Sequence, residues 1–178
     1  MPFGLTHMIF GWVLGKTYEY SKKIKLSVIC FGFLMFGAVL PDSDFLLDWI
    51  LGLSTHRTLT HSFLGAAIFF CLCLLCINVY NKICKKNLDS KKLSVFLFVG
   101  ILSHIFLDMT IGKPGVPLFF PLHTWFYFFG SVTNFTSQKF SASTSEQLMR
   151  EIKFAIFDIG LGALFFFYLM IKGKIKEL

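Results

Sequence analysis

The chain has 178 residues, of which 55% are hydrophobic and 24 are Phe, with a mean hydropathy of +0.69. A water-soluble domain of this length would expose too much apolar surface, so the composition points to an integral membrane protein forming a single domain over residues 1–178. The net charge of +7 is gathered beside apolar segments, the pattern of cytoplasmic loops, and nothing resembles a nucleic-acid motif.

Five helical segments follow in chain order. They run from Pro2 to Lys16, Lys25 to Leu40, Thr60 to Asn81, Lys92 to Ile111 and Lys153 to Ile171. A membrane-spanning helix needs about 20 apolar residues, with roughly 17 to 25 tolerated; the third, fourth and fifth segments meet this and the first two are short for it. The expected fold is all-α, a polytopic membrane bundle of about four to five helices. The start of the chain, Met1 to His7, lacks a basic region, so the first apolar stretch is expected to stay in the protein. The segment from Gly112 to Leu122 is apolar but carries three prolines and two glycines. It cannot form one regular helix and reads as a loop dipping into the membrane interface, with Trp125 and Tyr127 as interfacial aromatics. Ser131 to Ser145 is polar and reads as an exposed loop. The five cysteines lie in or beside apolar segments and read as small apolar residues, with no disulfide scaffold.

The cations set an orientation. Twelve lysines fall between Lys16 and Lys25, between Lys82 and Lys92, and between Lys172 and Lys176. Five cations (Arg57, Lys113, Lys139, Arg150 and Lys153) fall in the other connections. The positive-inside rule makes the first set cytoplasmic. That choice brings His7, Asp42, Asp44, His56, His61, His104 and Asp108 together at the non-cytoplasmic side. Alone, each reads as an ordinary polar residue. Together, ionisable groups at membrane depth read as a site.

The spacing suits metal ligation. His104 and Asp108 are four apart and share one helix face. Pro41 stops a helix just before Asp42 and Asp44. His56 and His61 flank a short link into the third helix, which Thr60 or Ser62 would cap. Three carboxylates and four neutral imidazoles carry a charge of −3, which suits two divalent cations. Mixed nitrogen and oxygen ligands without thiolate fit zinc, manganese or iron. Arg57 and Asp44 are the catalytic candidates, with Arg57 able to hold a phosphate by a bidentate pair. Lys113 and His123 read as interfacial. Asp158 reads either as a partner of a ligand histidine or as a polar contact between helices. His-Glu-x-x-His, Gly-x-Ser-x-Gly and P-loop signatures are absent, which argues against zincin proteases, serine hydrolases and nucleotide hydrolases.

Thr6-His7, Leu40-Pro41-Asp42-Ser43-Asp44, His56-Arg57-Thr58-Leu59-Thr60-His61-Ser62 and His104-x-x-x-Asp108, with the Gly/Pro-rich turn after them, resemble the LexA-regulated, membrane-bound metal-dependent hydrolase family of the YdjM type. The resemblance covers roughly the first 125 residues. It implies a metal-dependent hydrolase with His7, Asp42, Asp44, His56, His61, His104 and Asp108 as ligands. The order of ligands is also similar, distantly, to zinc-dependent phospholipase C, although no later His-x-x-x-Glu pair is present to hold a third ion. The expected function is hydrolysis of a phosphoester in a lipid or lipid-linked substrate at the outer face of the cell membrane. A metal transporter or a non-catalytic metal-binding protein would use the same ligands.

Overall fold

The computed structural model describes residues 4–51, 57–111, 115–122, 124–128, 131–134 and 144–171. Among the described residues, six α-helices carry the fold: α1 (Gly4–Lys22), α2 (Val28–Gly37), α3 (Asp44–Leu51), α4 (Phe63–Cys84), α5 (Ser90–Ile111) and α6 (Thr144–Ile171). Two short strands, β1 (Thr124–Tyr127) and β2 (Ser131–Asn134), form an antiparallel hairpin in which Thr124 pairs with Asn134 and Tyr127 with Ser131.

Local chemistry sets the helix ends. Ser27 caps α2 by accepting from the Cys30 N–H, and Ser62 caps α4 by accepting from the Gly65 N–H. Each satisfies one of the amide donors that a helix start leaves open. Pro41 cannot continue a helical hydrogen-bond ladder. The chain therefore leaves α2 at Gly37 and tightens into a 3₁₀ turn over Leu40–Ser43. That turn delivers Asp42 and leads directly into α3 at Asp44. A second 3₁₀ turn, Leu59–His61, leads into α4.

Helix α5 is the hub, packed against α1, α2 and α4, while α6 packs against α1. Its approach to α2 is at backbone level: a side chain at Gly100 would collide with the Leu34 carbonyl, and one at Gly37 with the Leu97 carbonyl. On α1, His7, Gly11 and Gly15 recur every four residues and form its buried face. Small residues in that stripe let α1 close onto α2, with Gly11 against Ala38 and Gly15 against Phe31. The same stripe points His7 inward.

The Pro/Gly-rich segment is held at both sides. Val116 exchanges backbone hydrogen bonds with Phe126 of β1, and the Phe63 N–H at the start of α4 donates to the Leu118 carbonyl. Gly115 sits at φ +100, and its Cβ position lies on the Phe126 carbonyl; only glycine meets both demands. Val116 and Leu118 are buried with Ala66, Leu97, Ile101 and Ile105.

The fold is all-α apart from this hairpin, as expected, with several differences in detail. The first helix continues through Thr17-Tyr18-Glu19-Tyr20 to Lys22, because these residues tolerate helix although they are not apolar. Helix α3 replaces an expected connection. Part of the expected loop from Ser131 to Ser145 is structured: its first four residues form β2, and α6 begins at Thr144. Among the described residues, two helices are long and apolar enough to cross a membrane, Phe63–Cys84 and Ser90–Thr110. The fifth expected span lies within α6, whose described apolar stretch is Ala155–Ile171. Lys113, His123 and His56 lie outside the described residues.

Candidate metal centre

Five elements of the chain converge on one buried cluster. Helix α1 supplies His7, the 3₁₀ turn after α2 supplies Asp42, and α3 opens with Asp44. The link before α4 supplies Arg57 and His61, and α5 supplies His104 and Asp108. All are buried except Asp42, whose side chain is 20% exposed. Asp42 therefore faces the opening of the cluster.

Hydrogen bonds fix the state of the two central imidazoles. His104 Nδ1 lies 2.8 Å from the Ala38 carbonyl oxygen. A carbonyl only accepts, so Nδ1 carries the proton and Nε2 presents a lone pair in the neutral ring. The Thr60 hydroxyl donates to Asp44 Oδ2 and lies 3.0 Å from His61 Nδ1. Having spent its proton on the carboxylate, it accepts from His61 Nδ1–H. In the neutral ring, Nε2 of His61 is thus the second lone pair.

These two nitrogens face each other at 3.2 Å. Around them stand Asp42 Oδ1, 3.4 Å from His61 Nε2 and 3.5 Å from His104 Nε2, and Asp108 Oδ2, at 3.6 Å and 3.9 Å. The buried His7 ring stacks on His104 with centroids 3.8 Å apart. Its Nε2 lies 3.5 Å from Asp108 Oδ1, and among the described residues neither nitrogen of His7 has a hydrogen-bond partner. Electron pairs pointing at one another in a dry pocket repel unless a proton or metal ion sits between them. The donor set therefore fits a divalent cation. Two triads converge closely enough to hold one, His7 with Asp42 and His104, and His61 with His104 and Asp108. For a zinc ion with bonds of about 2.0–2.1 Å, tetrahedral ligand atoms stand roughly 3.3–3.4 Å apart, close to the separations seen.

The electrostatics agree. Burial alone would raise the Asp42 carboxyl, but hydrogen bonds and charge from His104 and His61 outweigh it and hold it well below the usual carboxylate range. Burial alone would lower His61, but hydrogen bonds from its ring to Asp42 and Asp44 and the charges of Asp108 and Asp42 outweigh it, and its pKa lies above the usual value.

Asp44 and Arg57 stand behind these atoms. Asp44 Oδ2 takes the Thr60 hydroxyl and the Arg57 N–H and lies 3.6 Å from His61 Nδ1. It touches the non-facing side of His61 and so orients that ring. Arg57 is 2% exposed. Its Nη2 donates to Asp108 Oδ2 at 2.8 Å and its Nη1 to the Gly115 carbonyl at 3.2 Å. Its backbone is left-handed, φ +62, an uncommon state for a residue other than glycine. Both terminal nitrogens are thus engaged within the protein, and gripping a phosphate with the whole fork would require releasing them.

Asp158 has a different place. From α6 it accepts the Thr6 N–H at 2.7 Å, the Leu5 N–H at 3.2 Å and the Thr6 hydroxyl. It caps the start of α1 one residue before His7. Of the two alternatives for Asp158, the interhelical contact is the one the geometry presents. The sequence offers Thr60 as a cap that would position His61; the cap is Ser62, and Thr60 holds His61 by its hydroxyl instead, while the Ala38 carbonyl was not singled out. The only available signal for that carbonyl was its position, three residues before Pro41.

A family model described as the YdjM inner membrane protein matches residues 1–176. The chain belongs to the YdjM inner membrane protein family. No curated protein and no solved structure matches it. Membership accounts for the apolar character of α4 and α5 and identifies a membrane protein. Within a YdjM family member, the buried His/Asp cluster is the feature that packing alone does not explain.

Proposed function

We propose that the chain is a membrane-bound, metal-dependent hydrolase acting on a phosphoester of a lipid or lipid-linked substrate. The observation that carries this reading is the set of facing lone pairs on His61 and His104, ringed by Asp42 and Asp108 and held from behind by Thr60, Asp44 and Ala38. A bound divalent ion, zinc first with manganese and iron as alternatives, supplies Lewis acidity and a water of lowered pKa. His61, His104, Asp108 and Asp42 would hold it, with His7 beside them. Asp44 and Thr60 fix the His61 ring, and the Ala38 carbonyl fixes the His104 ring, the arrangement by which outer partners set ligand tautomers. Asp42, the partly exposed carboxylate, stands at the opening of the cluster, where substrate would enter.

The rest of the reading follows from location. The sequence supports a polytopic bundle with its cluster at the non-cytoplasmic face of the cell membrane, where headgroup phosphates are the abundant substrates. The apolar Pro/Gly-rich segment and the hairpin flank the cluster and favour a lipid over a small soluble ester.

The test is a turnover assay of detergent-purified, zinc-loaded protein against a panel of phospholipids and lipid-linked phosphoesters, beside the His104→Ala/Asp108→Ala variant. Cleavage by the native chain and none by a folded variant is expected. Tight metal binding without cleavage of any panel member, combined with metal uptake into proteoliposomes, would replace the hydrolase reading with a transporter.

A further inference from the structure

The sequence inventory of carboxylates suits two divalent ions. The geometry points elsewhere. We infer that the centre is mononuclear, and that the buried Arg57 guanidinium on Asp108 supplies the positive charge that a second ion would otherwise bring. The inference rests on the metal-centre reading above and deepens it.

Three observations carry it. First, both ligand triads need His104. Its Nδ1 is committed to the Ala38 carbonyl, so a single lone pair on Nε2 remains, and one imidazole nitrogen serves one ion. Among the described residues, filling one triad leaves the other with two ligands. Secondly, Asp108 already has a permanent cation. Arg57 Nη2 lies 2.8 Å from Asp108 Oδ2, with both side chains 3% exposed. A guanidinium stays charged at any pH the protein meets, and a buried pair of this kind is costly to break. Thirdly, the charges balance with one ion. The carboxylates of Asp42, Asp44 and Asp108 against one guanidinium leave two negative charges among these groups, which one divalent cation neutralises.

The arrangement also accounts for the strained backbone at Arg57. Its left-handed φ of +62 lets the N–H reach Asp44 while the side chain reaches Asp108 and the Gly115 carbonyl. One residue thereby ties α3, α5 and the Pro/Gly-rich segment around the ion. Such backbone states persist where the surroundings over-determine them.

Metal stoichiometry on the full-length purified chain tests this, by equilibrium dialysis against zinc with elemental analysis and by electron paramagnetic resonance after manganese loading. One equivalent per chain and the spectrum of an isolated manganese ion are expected. Arg57→Lys should keep one equivalent at near-native affinity, and a folded Arg57→Gln should also keep one, because His104 serves a single ion, but bind it about tenfold more tightly, because the guanidinium no longer offsets the Asp108 carboxylate; an unchanged affinity would overturn the role given to Arg57. Two equivalents with an exchange-coupled manganese spectrum in the native chain would overturn the mononuclear assignment while leaving the metal centre standing. No bound metal in the native chain would overturn both. If Arg57→Gln does not fold, the native spectrum and Arg57→Lys decide the question.

Discussion

Helices α4 and α5 are of equal length and similar composition, yet only α5 contributes to the buried His/Asp cluster. Each has 22 residues, and their apolar windows have mean hydropathies of 2.4 and 1.9. The α4 window is 17% buried inside the protein and the α5 window 50%. Helix α4 presents Leu72, Leu75 and Val79 outward, with Cys71 and Cys76 exposed among them. Helix α5 turns Gly100, Ser103, His104 and Asp108 toward α1 and α2. Hydropathy reports that a helix tolerates lipid. It does not report which helix has neighbours on most sides, and that is what makes a buried ion pair possible.

The contrast can be broken most severely at Asp108. Asp108→Ala removes a ligand and leaves Arg57 buried without its carboxylate, so a loss of about 3–5 kcal/mol is expected along with the metal. Chemical unfolding in detergent, read beside metal content, checks both. Next comes the helix contact itself. Gly100→Ala drives a methyl into the Leu34 carbonyl and is expected to cost about 1–3 kcal/mol. Gly160→Ala on α6, where nothing lies within 4 Å of the added carbon, should leave the melting temperature at or slightly above the native value. A native-like melt for Gly100→Ala would mean that the α2–α5 approach is looser than described.

Smaller effects sharpen the picture of the centre. Thr60→Val keeps the shape but cuts the link between His61 and Asp44, and metal affinity should fall about 10–100-fold with the fold retained. Calorimetric titration of both chains measures this. The raised pKa of His61 has a definite sign for binding. The metal-free ring holds its proton to higher pH than a free imidazole, and ligation requires that proton to leave. Affinity should therefore weaken as pH falls through the raised value, by up to about tenfold per pH unit. A flat profile would mean that His61 does not ligate. Least of all, Cys71→Ala and Cys76→Ala on the exposed face of α4 should shift stability by no more than about 0.5 kcal/mol.

Much of this was legible in the sequence because the strongest signals are local. Pro41 stops a helix wherever the chain goes, and His104 and Asp108 share a face on any helix. Long apolar runs mark α4 and α5 by composition alone. Asp44 shows the limit: as a residue type beside Asp42 it reads as a ligand, but its hydrogen bonds put it behind His61. Arg57 similarly reads as a phosphate clamp until its partners on Asp108 and Gly115 are seen. The start of α6 and the whole of α3 escaped a search for apolar runs, since amphipathic or polar turns fold as helix when their neighbours permit it. The hairpin escaped because Trp125-Phe126-Tyr127 takes its strand character from pairing with Val116 and with β2, which no local pattern announces.

The cap on α1 sets an order of events during synthesis. The carboxylate that seals the turn beside His7 sits 151 positions later in the chain, on Asp158 of α6. Chains emerge from their N-terminal end, so the earliest member of the cluster waits for one of the latest helices before its backbone is secured. A chain interrupted before α6 would carry every proposed ligand and still lack the clasp that steadies the first of them. Assembly of the cluster thereby doubles as a check that the chain has been made as far as α6.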